Sequence, residues 1–69
     1  MKTNKINLRK LIDMLVYGEE IEVVEFYNDD MTFLYSFRLS EIPLEAQYIK
    51  KFNPYRSESG KYILEVIEA

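Results

Sequence analysis

Asp29 and Asp30 stand side by side, and Ser36, Ser40, Ser57 and Ser59 supply the hydroxyls a hydrolase would use, so carboxylate and serine chemistry are the first to weigh. Neither finds its complement. Adjacent aspartates in a turn point apart, and no third ligand type stands at a diagnostic spacing, so a metal or acid/base pair is not expected there. A serine nucleophile needs a base, but the chain contains no histidine and shows neither a Ser-x-x-Lys nor a Gly-x-Ser-x-Gly arrangement. Cysteine is absent as well, which removes thiol nucleophiles, disulfides and thiolate metal sites. The two glycines, Gly18 and Gly60, make no Gly-rich loop ahead of a helix, so a phosphate cradle has nothing to build it. The expectation is a chain with no catalytic residue, no metal and no cofactor.

Binding chemistry has more material. Residues 1–10 carry Lys2, Lys5, Arg9 and Lys10 and no acid, whereas residues 11–37 carry Asp13, Glu19, Glu20, Glu22, Glu25, Asp29 and Asp30 and no base. Carboxylates spaced along a rigid hairpin, Glu22, Glu25, Asp29 and Asp30 among them, could imitate a phosphate backbone and occupy the basic cleft of a nuclease; the alternative is a solvated strand face. The bases gather where a helix would begin, against its macrodipole, which helix stability does not explain. A pI near 4.9 and the lack of an interleaved aromatic and basic motif argue against direct nucleic-acid binding.

The elements that would carry these groups follow from spacing. Asn7 is a good N-cap, and Leu8, Leu11, Ile12, Leu15 and Val16 repeat as one helical face; Gly18 then suits a left-handed C′ position, so a helix is expected from about Leu8 to Tyr17. Ile21–Tyr27 is β-branched and aromatic on both faces, as an interior strand would be. Asn28–Met31 reads as a turn. From Thr32 to Leu39 the chain alternates, with Phe33, Tyr35, Phe37 and Leu39 on one side. Ser40–Ala46, with Pro43, reads as a connector of one or two turns, Ser40 capping the first. Residues 44–55 fit a helical stripe or a strand; the strand is favoured because Arg56–Gly60 is turn-rich and Lys61–Glu68 is a strand that needs a neighbour.

Sixty-nine residues without staples form one small domain that must bury nearly all its large apolar side chains or share them. The expected fold is α+β: one N-terminal helix packed on a mostly antiparallel four-stranded sheet, in the order helix, hairpin, short connector, hairpin. One helix covers one face. Aromatic residues drawn from Tyr27, Phe33, Tyr35, Phe37, Tyr48 and Tyr62 would remain on the other, to be covered by a second copy in a homodimer, by a host or phage protein, or by a small nucleotide-like ligand held with Arg38 or the N-terminal bases. The N-terminus does not read as a secretory signal and no stretch approaches a membrane span, so a cytoplasmic protein is expected.

At Ile6–Val16, then Ile21-Glu-Val-Val-Glu-Phe26, Phe33-Leu-Tyr35 and Leu39-Ser-Glu-Ile-Pro-Leu-Glu45, the chain resembles small uncharacterised accessory proteins of phages and integrated mobile elements in low-GC Gram-positive bacteria. The resemblance spans most of the chain. It implies a protein that works by binding: blocking a host defence enzyme, capturing a nucleotide signal, or tuning a transcription or packaging machine.

Overall fold

The computed structural model describes residues 5–69, and its framework is a single mixed sheet. A two-residue strand, β1 (Ile6–Asn7), runs directly into helix α1 (Leu8–Met14); then come β2 (Ile21–Tyr27), β3 (Phe33–Arg38), β4 (Tyr48–Arg56) and β5 (Tyr62–Glu68). Short 3-10 turns at Gly18–Glu20, Leu39–Glu41 and Leu44–Ala46 join them. The sheet order is β1-β4-β5-β2-β3.

Both expected hairpins form. Val24 pairs with Phe37 and Phe26 with Tyr35 in the first, Phe52 with Val66 and Pro54 with Leu64 in the second, all antiparallel. The four-stranded, mostly antiparallel arrangement gives way to five strands, because Ile6 and Asn7 pair with Ile49 and Tyr48 and the two hairpins meet along a parallel β2–β5 seam. That seam follows from composition. The two strands richest in β-branched residues are buried by becoming central neighbours, with Val24 beside Leu64 and Phe26 beside Val66.

Paired residues share a face, so one side of the sheet carries Val24, Phe26, Leu64 and Val66, each nearly or fully buried. Leu8, Leu11 and Ile12 of α1 enter the same core, as do Leu44 and Ile49, with Leu39 and Ile42 of the connector packed against it. The segment between β3 and β4 thus serves as cover as well as connection.

The helix is shorter than its apolar spacing suggests. It stops at Met14, and Leu15 is extended, with φ −74° and ψ 141°. Met14 and Val16 project into solvent, since the chain must turn back to enter β2. Gly18 is not a left-handed cap either; among the glycines only Gly60 has a positive φ. What demands glycine is close approach: a Cβ at residue 18 would stand 1.9 Å from the Ile12 carbonyl oxygen. Asn7 does act as N-cap, its side chain accepting from the Lys10 N–H at 3.2 Å while its Nδ2 donates to the Glu45 carbonyl at 2.9 Å. Ser40 does not cap the connector; the Glu41 carboxylate accepts from the Arg38 N–H instead, at 3.2 Å. No helix among the described residues is long and apolar enough to cross a membrane.

Candidate functional site

β3 forms one edge of the sheet, and every one of its residues is exposed. Phe33 (51%), Leu34 (46%), Tyr35 (43%) and Phe37 (40%) keep large fractions of their surface open although they are strand residues. The register explains how they are displayed. Phe26 opposes Tyr35 but Tyr27 opposes Phe33, so one extra residue, Leu34, bulges from β3. The bulge parts Phe33 from Tyr35 and Phe37, which strict alternation puts on one side. Tyr35 and Phe37 lie on the core-side face, with ring centroids 5.1 and 6.3 Å from Phe26 and 5.4 Å from each other. Phe33 meets Tyr27 on the opposite face at 5.7 Å, edge to face.

The face away from the helix is not the aromatic surface that one covering helix implies. Its centre is a polar cluster: Glu25 and Glu65 are register partners on the parallel strands, and Glu25 accepts hydrogen bonds from the Tyr27 hydroxyl at 3.0 Å and the Tyr55 hydroxyl at 3.2 Å. Asn53 Nδ2 donates to Glu65 at 2.9 Å. Partial burial, then the hydrogen bond to Glu25 and its charge, push the Tyr27 phenol well above its ordinary value; burial and the Glu25 charge raise Tyr55 in the same direction. Tyr35 donates to the Glu68 carboxylate, and that bond, ahead of burial, raises its pKa. Tyr55, Asn53 and Glu65 are missed by motif reasoning because they lie on the other hairpin. Their signal was the alternation of Lys51, Asn53 and Tyr55 in β4 and the lone Glu65 inside the otherwise apolar Tyr62–Ile67 stretch of β5.

The acids do not assemble into one array. Glu22 lies beside Arg38 and Lys61 at one end of β2, whereas Asp29 and Asp30 occupy the turn at the other, across a strand that at about 3.3 Å per residue spans about 23 Å. Glu25 is engaged by its tyrosines, and Asp29 forms an ion pair with Lys50. Asp30 organises the turn: it accepts from the Thr32 hydroxyl at 2.6 Å and the Thr32 N–H at 3.0 Å, bonds that hold its carboxyl below the usual range, while Met31 takes φ 67°. Of the bases, Arg9 pairs with Asp13 at 3.8 Å and Glu45 at 3.3 Å; Lys2 lies outside the described residues. Arg38 makes no ion pair among the described residues.

An open groove of about 400 Å³ runs between the helix exit and the second hairpin, lined by Leu15, Val16, Tyr17, Pro54, Arg56 and Tyr62. Tyr17 stacks on Tyr62 at 5.1 Å, and the Arg56 guanidinium sits 5.6 Å from the Tyr62 ring centre. Among the described residues no three carboxylates are grouped to hold a metal ion. Comparison with known proteins found no matching family model, no matching curated protein and no matching solved structure.

Proposed function

We propose that this chain is a non-enzymatic protein-interaction module that takes its partner on β3, in keeping with the phage or mobile-element accessory role its sequence resembles. The observation that supports this reading is an edge strand with four large apolar side chains open to solvent. Sheet edges expose unpaired N–H and C=O groups, and soluble proteins normally blunt them with charged residues, proline, bulges or a covering segment; on β3 the bulge at Leu34 and the charge of Arg38 lie toward its ends and leave Tyr35–Phe37 open. β3 contains neither lysine nor proline. A partner strand added here gains main-chain hydrogen bonds and a pocket for alternate side chains on each face. The acidic groups serve better as a flank than as the binding array, since the sheet separates Glu22 from Asp29 and Asp30.

A tagged chain should capture a stoichiometric partner from host lysate, and Tyr35→Asp combined with Phe37→Asp should abolish capture while Glu22→Lys leaves it intact. Capture that survives the β3 double variant removes this reading. Were Glu22→Lys the variant that lost the partner, the acidic inhibitor of a defence nuclease would take its place.

A second reading draws on the groove between helix exit and second hairpin. Two stacked tyrosines and a guanidinium suit a flat anionic ligand of the nucleotide type. Native mass spectrometry of protein from a producing host should then show a retained small molecule that Arg56→Ala releases; bare protein counts against it.

A further inference from the structure

We infer that the strand β3 accepts is β3 of a second copy, the two pairing antiparallel about a two-fold axis through Ser36 to join two five-stranded sheets into one of ten. This rests on the reading of β3 as the interaction edge and names its occupant.

Self-pairing is set by what each position of β3 would meet. Centred on Ser36, the arrangement puts Tyr35 opposite Phe37 of the second copy and Phe37 opposite its Tyr35, both on the core-side face. The aromatic group that already joins Phe26, Tyr35 and Phe37 would then run unbroken across the junction. On the other face Ser36 meets Ser36, small and uncharged, and at each end of the pairing Arg38 reaches the bulge at Leu34, which its aliphatic stem can cover. A two-fold axis normal to the sheet keeps matching faces together, so the core-side face of one copy continues into the core-side face of the other.

Charge favours the same direction. Arg38 is the only charged residue of β3 and sits at its C-terminal end, while Asp29 and Asp30 flank the N-terminal end. Antiparallel pairing brings the basic end of each strand toward the acidic turn of the other; parallel pairing would set base beside base. Arg38 has no carboxylate partner among the described residues, and only one Asp30 oxygen is engaged by Thr32, so both can respond to a neighbour.

The bulge bounds the register on one side. With Leu34 displaced, the regular stretch of β3 is Tyr35–Arg38, and a slip of two residues toward the turn would run the second strand into the bulge. Closure under a two-fold axis also hides both β3 edges, so self-association stops at two and a lysate protein that binds β3 must displace the second copy.

Sedimentation equilibrium of the full chain from about 10 μM to about 1 mM should reveal a species of twice the 8.3 kDa chain mass. In a mixture of isotope-labelled and unlabelled chains, filtered NOE spectra should connect the Tyr35 ring of one copy with the Phe37 ring of the other. Ser36→Lys sets two ammonium groups face to face and should weaken association about tenfold or more, as should Ser36→Asp; mixing the two variants should restore a heterodimer. The NOE measurement uses the unaltered chain, so it decides the matter even where a variant folds poorly. A chain still monomeric at the top concentration, or a dimer lacking the Tyr35–Phe37 contact, overturns the self-pairing. A monomer that nevertheless loses its lysate partner on Tyr35→Asp with Phe37→Asp sinks this inference alone, whereas one whose capture ignores β3 sinks the interaction reading as well.

Discussion

Glu25 sits where two phenols converge, and its position makes the tyrosines of the far face report on folding. Tyr27, Tyr35 and Tyr55 all have phenol pKa values raised above the ordinary value of 10.0 in the folded chain. A group whose pKa rises on folding holds its proton longer in the folded state, so its contribution is complete below the unfolded value and is lost as pH climbs toward the folded one. Urea midpoints should therefore hold steady up to about pH 9 and fall beyond about pH 10, while phenolate absorbance shows a share of the tyrosines ionising late. Glu25→Gln should bring Tyr27 and Tyr55 back toward ordinary titration and leave Tyr35, which leans on Glu68, displaced. Gly18 offers a second test at this scale. Because a Cβ there would collide with the Ile12 carbonyl, Gly18→Ala should destabilise the fold by about 1–3 kcal/mol, read as a lower urea midpoint at unchanged slope. The sequence singled out Gly18 for a different reason, as the left-handed end of a helix that in fact stops at Met14; spacing says nothing of which carbonyl the returning chain will press against.

At the scale of elements, α1 is too short to be stable on propensity and depends on its cap and its buried face. Asn7→Ala removes the cap and a tie to Glu45, and should cost about 1 kcal/mol, or slightly more, by chemical denaturation. Leu64→Ala, in the central strand and fully buried, should cost about 2–5 kcal/mol. Local pattern carried the hairpins: Phe33–Arg38, Tyr48–Arg56 and Tyr62–Glu68 form within a residue or two of where alternation and turn residues place them. It could not carry β1, since two residues give no period, nor the bulge at Leu34, since a bulge is a property of two strands and alternation belongs to one. The helix read three residues long for a related reason, as Leu15 and Val16 continue an apolar spacing that the fold does not bury there.

For the molecule as a whole, the sequence calls for something to cover leftover apolar surface, and the structure locates that surface differently. Tyr35 and Phe37 belong to the helix side, beyond the reach of a seven-residue helix, while the opposite face carries the Glu25–Glu65 cluster. Which strand would lie at the edge was not legible, because sheet order depends on how the two hairpins dock and nothing within either encodes it. The edge assignment predicts hydrogen exchange directly: in dilute protein the β3 amides that point away from β2 should exchange quickly, and they should slow at least tenfold when the chain is concentrated or bound. Equal protection in both conditions would mean that β3 is not where association occurs.

The parallel seam between β2 and β5 also governs how the chain reaches this state. Its partners, Ile21 with Tyr62 and Val24 with Leu64, are about 40 residues apart in sequence, while each hairpin closes over a handful. Hairpins form in about 1–10 μs, so the slow event is their mutual docking, in which Val24, Phe26, Leu64 and Val66 are buried at once. Until then the edge of β2 that will receive β5 is as open as β3, and a neighbouring chain can occupy it. Refolding yield should consequently fall with protein concentration even where the finished fold is stable, and the vulnerable interval is set by the seam rather than by any single strand.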